Sequence, residues 1–122
     1  MYERIETQPG TIGIRLGETL SVDEINRLYA DTADALKAHE KLNYYVDARA
    51  WSHTGLDAGL HSLKMRLAHL DWFHRFARVA VVTDNALLNG AVRLLDLLTP
   101  MMDVRAFGAS DAEAGLRWCE GG

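Results

Sequence analysis

Cysteine is nearly absent: Cys119 is the one thiol in 122 residues. It cannot close an intramolecular disulfide, so the fold must rest on its own core, as suits a reducing compartment. Proline is scarce too, and both Pro9 and Pro100 fall between apolar runs, where they mark boundaries. No stretch reaches the roughly 18 uncharged apolar residues that a membrane-spanning helix needs. The opening MYERIETQPG has early charges and no apolar core, so no signal peptide is expected and the cytoplasm is the expected location. Positive charge is not in excess: the formal net charge of −4 argues against nucleic acid or an anionic membrane as partner. The motifs G-x-x-x-x-G-K-[ST] and H-E-x-x-H are missing, as is any cysteine pair. His61 and His69 share a helix face but stand two turns apart, too far for one ion. Neither a metal nor another cofactor is expected.

What remains is the composition of an ordinary globule, 48% hydrophobic and 25% charged, in a length that suits one domain over residues 1–122. Such a length can bury a core without metal or cross-links. Two strand-like runs, Glu3–Thr7 and Thr11–Leu16, flank Pro9-Gly10, a pair that suits the middle of a type II turn. In the second run Ile12, Ile14 and Leu16 alternate with Gly13 and Arg15, which predicts one buried face. Ser21-Val22-Asp23-Glu24 has capping-box spacing, and Ile25, Leu28, Tyr29, Thr32 and Leu36 follow at helical spacing. Leu42–Val46 reads as a buried strand and Leu56–Phe76 as a helix. Ala77–Val82 is valine-rich without alternation, the mark of a strand covered on both faces and hence of a parallel sheet. Thr83 or Asp84 is expected to cap a further helix with the stripe Leu87, Leu88, Val92, Leu95 and Leu98. Met101–Phe107 reads as the last strand, and Ser110-Asp111-Ala112-Glu113 as a second capping box before a short helix. The order β-β-α-β-α-β-α-β-α is that of an α/β domain with helices on the sheet faces.

Four segments in this order are informative together: "GIRLGETLSVDEI" (13–25), "LNYYVDARAW" (42–51), "FARVAVVTD" (76–84) and "VRAFGASDAEAGLRW" (104–118). On them the chain resembles the SpoIIAA-like proteins, a STAS/SEC14-type domain family, over nearly its whole length. The resemblance implies a five-stranded, mostly parallel sheet with an antiparallel edge from the N-terminal hairpin, and about four helices. It also implies relatives of two kinds. Anti-sigma-factor antagonists carry a phosphorylatable Ser or Thr before a Gly at the start of the helix after the third strand. Lipid-carrier-like relatives use an apolar groove.

The stretch "VDARAWSHTGLDAG" (46–59) has three readings. As a catalytic loop, Asp47, Ser52 and His53 would form a triad, but no G-x-S-x-G elbow accompanies them, and no enzymatic activity is expected. As a switch, Thr54-Gly55-Leu56 stands where the antagonist relatives have Ser/Thr-Gly-Leu, with Ser52 nearby. A phosphate there would meet a helix N-terminus. The aspartate that usually precedes that motif is missing, and Thr54 also serves as a plain helix cap. As a connection, the loop occupies the C-terminal edge of the sheet, where α/β folds bind ligands. Asp47 and Arg49 are then expected to pair with each other or with neighbouring charges, and Trp51 to plug the core or wall a groove.

Residues 60–78 carry two apolar stripes: Leu60, Leu63, Leu67 and Leu70, then Met65, His69, Trp72 and Phe76. One apolar face suffices for an amphipathic helix, so the second stripe is either extra core or a contact surface. Two non-enzymatic functions follow as expectations. One is a carrier for a lipid-like small molecule, lined by Trp51, Met65, His69, Trp72 and Phe76 with Arg66 or Arg75 at its head group. The other is a regulatory module that binds a protein partner or its own copy, switched at Thr54 or Ser52. A closed internal apolar cavity would favour the carrier, and an exposed apolar patch the interaction module.

Overall fold

The computed structural model describes residues 2–19, 21–51, 74–98, 100 and 102–121. Five strands form one sheet in chain order: β1 (Tyr2–Ile5), β2 (Thr11–Leu16), β3 (Leu42–Asp47), β4 (Phe76–Val82) and β5 (Asp103–Phe107). β1 runs antiparallel to β2, and every other neighbour pair is parallel. The described helices are α1 (Val22–Ala38), α2 (Ala86–Leu98) and α3 (Ala112–Cys119), the last preceded by a 3-10 turn over Ala109–Asp111. The valine-rich β4 lies between β3 and β5, parallel to both, as its unbroken apolar run predicts.

Alternation along the strands divides the core in two. One face carries Ile12, Ile14 and Leu16 of β2, Tyr44 and Val46 of β3, and Val79 and Val81 of β4, beneath Leu28 and Leu36 of α1 and Val92 of α2. The other carries Tyr45, Ala80, Val82 and Phe107 beneath Leu116, Trp118 and Cys119 of α3. The Tyr44 phenol is buried under α1 and answered there. Thr32 Oγ1 lies 2.9 Å from the Leu28 carbonyl, to which it donates, so the Tyr44 hydroxyl, 3.0 Å away, donates to Thr32. Burial pushes the phenol pKa up and keeps its proton in place.

The predicted Ser21 capping box is present in both directions, with Glu24 N–H on Ser21 Oγ and Ser21 N–H on Glu24 Oε1. The Pro9-Gly10 turn is also present: Thr11 N–H donates to Gln8 O at 3.1 Å, and Gly10 sits at φ 86°, a conformation that glycine tolerates.

Other boundaries differ from the sequence expectation. The first strand ends at Ile5, before the expected Thr7; Thr7 instead bonds the Thr11 carbonyl and folds over Gly13. Phe76 opens β4 and does not end a helix, and residues 74 and 75 form a 3-10 turn. A register shift between Leu42 and Asn43 pairs Leu42 with Phe76 but Asn43 with Arg78. That bulge turns Phe76 toward α1, edge-on to Tyr44 at 6.0 Å. Neither Thr83 nor Asp84 caps α2. Thr83 Oγ1 accepts from Asn85 N–H, Asp84 Oδ1 accepts from Ala109 N–H, and Asn85 holds the position before the helix. The second capping box does not form, because the 3-10 turn closes through Asp111 N–H to Gly108 O. The last strand begins at Asp103, after the expected Met101.

Gly13 is a position of forced close approach. A Cβ there would stand 2.6 Å from Thr7 Cγ2 and 3.3 Å from the Ile5 carbonyl. Gly13→Ala is expected to destabilise the domain by about 1–3 kcal/mol in urea unfolding, as overpacking does. Adding Thr7→Ser, which deletes Cγ2 and keeps the hydroxyl, should recover part of the loss; no recovery would show that the clash lies elsewhere.

Candidate functional site

β3 ends at Asp47 with its carboxylate inside the protein, side chain 3% exposed. In-register pairing sets Glu3, Arg15 and Asp47 side by side across β1, β2 and β3, so charges of alternating sign cross the sheet. Arg15 bonds Glu3 at 3.0 Å and Asp47 at 3.3 Å. Arg49, two residues past the strand, turns back on Asp47 with Nε to Oδ1 at 2.9 Å and Nη2 to Oδ2 at 2.6 Å. Its backbone N–H adds a third bond to Oδ1 at 3.2 Å. A carboxylate offers about four lone-pair positions, and four donors occupy them here. The Arg49 guanidinium, against the cost of burial and with Arg15 in support, holds the Asp47 pKa below the usual carboxylate value.

The neighbouring strand ends are tied to the same edge. Ala48 N–H donates to Val82 O at 2.9 Å and Thr83 N–H to Phe107 O at 2.8 Å, which extends the parallel ladder past β3 and β4. Trp51 closes a turn through its N–H to Ala48 O, and its ring packs on the Ile12, Ile14 and Leu42 cluster. Its indole Nε1 is buried and has no hydrogen-bond acceptor among the described residues.

Of the residues assigned from sequence, Trp51 and Phe76 pack against the same core cluster. Arg75 is bound to the end of α1: Nη2 donates to Leu36 O at 2.6 Å and His39 O at 2.9 Å, and Nε to Glu40 O at 3.0 Å. It satisfies carbonyls left open at a helix C-terminus, where the dipole also favours a cation. Met65, Arg66, His69 and Trp72, with Ser52, His53 and Thr54, lie outside the described residues.

Two features escaped the sequence. A solvent-open cleft of about 450 Å³ lies at the opposite edge of the sheet, among Arg4, Thr7, Gly10, Ile12, His39 and Leu42. On α2, Leu94 and Leu97 are 56% and 77% exposed. Both leucines fall off the predicted stripe, of which Val92 is buried, so the helical period carried that signal.

Cys119 is fully buried, with its Sγ 3.1 Å from the Tyr44 carbonyl. Burial pushes its pKa up to about 12, so it remains a thiol at neutral pH. Thiol reagents are expected to leave native protein unlabelled and to react once it unfolds; fast labelling without unfolding would contradict the burial.

Asp47→Asn should cost about 2 kcal/mol at pH 7, since it removes charge-assisted bonds from a buried acceptor. The Asp47 pKa is lower folded than unfolded, so its stabilisation is complete above the ordinary carboxylate pKa and is lost as pH falls through the folded value. The gap between wild type and Asp47→Asn in denaturant melts should therefore narrow below about pH 4. A gap that stays constant to pH 2.5 would show that charge is not its source.

Comparison with solved structures finds an uncharacterised protein of the DUF3478 family from Shewanella loihica, a crystal structure described as having a SpoIIAA-like fold. The two share 18% identity with a TM-score of 0.72, over 98% of this chain and 92% of the other, a likeness of fold. No curated protein matches the chain. The profile of the SpoIIAA-like family matches residues 11–120, from the first residue of β2 to the residue after α3. With the five-stranded mixed sheet and the helices on both its faces, this places the chain in the SpoIIAA-like family.

Proposed function

We propose that the protein is a non-enzymatic, STAS-type module that acts by binding another protein. The apolar outer side of α2 carries this reading. Isolated exposed leucines are common on protein surfaces. Here Leu94 and Leu97, one turn apart, share a helix face with the exposed Gly90, and this grouping favours a contact surface. Two groups with altered acidity are engaged elsewhere: Asp47 is saturated by arginines, and the Cys119 thiol is sealed in the core. Neither is free to act as base or nucleophile. Thr54 and Ser52 stay the candidate phosphorylation positions of this reading.

Placing a light-activated cross-linker at position 97, in the protein expressed in its own host, should give an adduct that contains a second polypeptide. If illumination yields only the free chain, the interaction reading fails.

A second reading rests on Trp51 and Phe76, which share one core cluster while the Trp51 indole N–H has no acceptor among the described residues. A lipid-like molecule lying against that cluster, with Met65, His69 and Trp72 contributing, would keep Arg66 for its head group, since Arg75 is bound to α1. Native mass spectrometry should then show a copurified amphiphile or a mass shift with added fatty acid. A bare chain under both conditions would end this reading.

A further inference from the structure

The outer side of α2 brings small, apolar and charged residues to one face. At about 100° per residue, Gly90, Arg93, Leu94 and Leu97 fall within one face roughly 100° wide. All four are exposed, while Val92 is buried against the sheet. Gly90 is the unexpected member. Glycine weakens a helix interior relative to alanine. Among the described residues nothing requires glycine here: a Cβ would meet none of their atoms within 4 Å, and its φ is not positive. A residue without a side chain, beside two exposed leucines, leaves room for a second helix to come close.

Charge fits the same occupant. Arg93 is exposed and makes no ion pair among the described residues. Asp96, on the flank toward β5, uses Oδ1 to accept from Val104 N–H at 3.0 Å, and its other oxygen has no partner among the described residues. When two copies of a helix pack antiparallel about a two-fold axis, like flanks face each other. With that axis between Arg93 and Leu94, Leu97 of one helix stands level with Gly90 of the other. Arg93 then lies about 3 Å along the axis from Asp96 of the other helix, within reach of its long side chain. The symmetry makes each contact twice.

We propose that the protein forms a homodimer through α2, with Leu97 seated over the partner's Gly90 and Arg93 paired with the partner's Asp96. This identifies the occupant of the surface proposed above and so rests on that reading. A single pair of helices covers less than the roughly 1,200 Å² of a stable interface, so the dimer is weak and concentration-dependent.

Sedimentation velocity from about 10 μM to about 1 mM of purified protein tests it, a range that spans weak association. The average mass should rise from one copy toward two. Leu97→Glu should weaken association at least tenfold and leave the dilute melting curve unchanged. Gly90→Gln should raise the dilute melting temperature, because glutamine is the better helix former, while it weakens association by a similar factor. Asp96→Asn keeps an acceptor for Val104 and should remove the salt dependence of association. A mass of one copy throughout the range overturns the proposal. So does association untouched by both Leu97→Glu and Gly90→Gln, which would place the contact elsewhere. A monomeric purified chain with a cross-linked adduct to a different protein in cells would overturn the homodimer and leave the interaction reading standing.

Discussion

Side chains leave β4 in opposite directions, and an interior parallel strand needs cover for both rows. Ala80 and Val82 are completely buried beneath α3, while Val79 and Val81 turn to the side of α1 and α2. The rest of the architecture answers this need for two covers. Parallel neighbours require crossovers long enough to carry helices, and the β2–β3 and β4–β5 crossovers, advancing the same way through the strand order, set α1 and α2 on one face. Coverage of the other face falls to the C-terminal α3, held by Arg78 to the Trp118 carbonyl at 2.6 Å and by its guanidinium on the Trp118 ring.

The open part of that second face explains the charge at the sheet edge. α3 covers β3, β4 and β5, and beyond Ile5 and Gly13 the row over β1 and β2 turns polar at Glu3 and Arg15. Glu3, Arg15, Asp47 and Arg49 satisfy one another there. A carboxylate as enclosed as Asp47 would be costly if unpaired, and two half-exposed arginines offset that cost while their outer sides stay hydrated. The free edge of β5 is blunted in a related way, since the Asp96 side chain occupies the Val104 N–H that another strand would need.

Legibility followed the range of the interaction. The Ser21 capping box and the Pro9-Gly10 turn are complete within four residues each, and both stand where the sequence places them. The same spacing at Ser110 to Glu113 formed no box, because a local pattern competes with its surroundings: Asp84, from 25 positions away, takes Ala109 N–H, and a 3-10 turn results. Phe76 departs from the sequence expectation for a similar reason. Helical spacing carries it into the preceding segment, whereas the bulge against Leu42 draws it into the sheet. At the candidate site the Asp47–Arg49 pair was legible from two-residue spacing, but the part played by Arg15 depends on strand register.

Alternation, capping and valine-rich composition suffice to determine an α/β domain with β4 inside its sheet, since each reports whether a residue faces water or its neighbours along the chain. Only the tertiary structure decided that Arg75 serves the end of α1, that Asp47 is enclosed by two arginines, and that Leu94 and Leu97 are left uncovered. Those outcomes depend on which elements meet across dozens of residues. Periodicity records how apolar a face is, and packing alone settles whether another part of the same chain arrives to cover it.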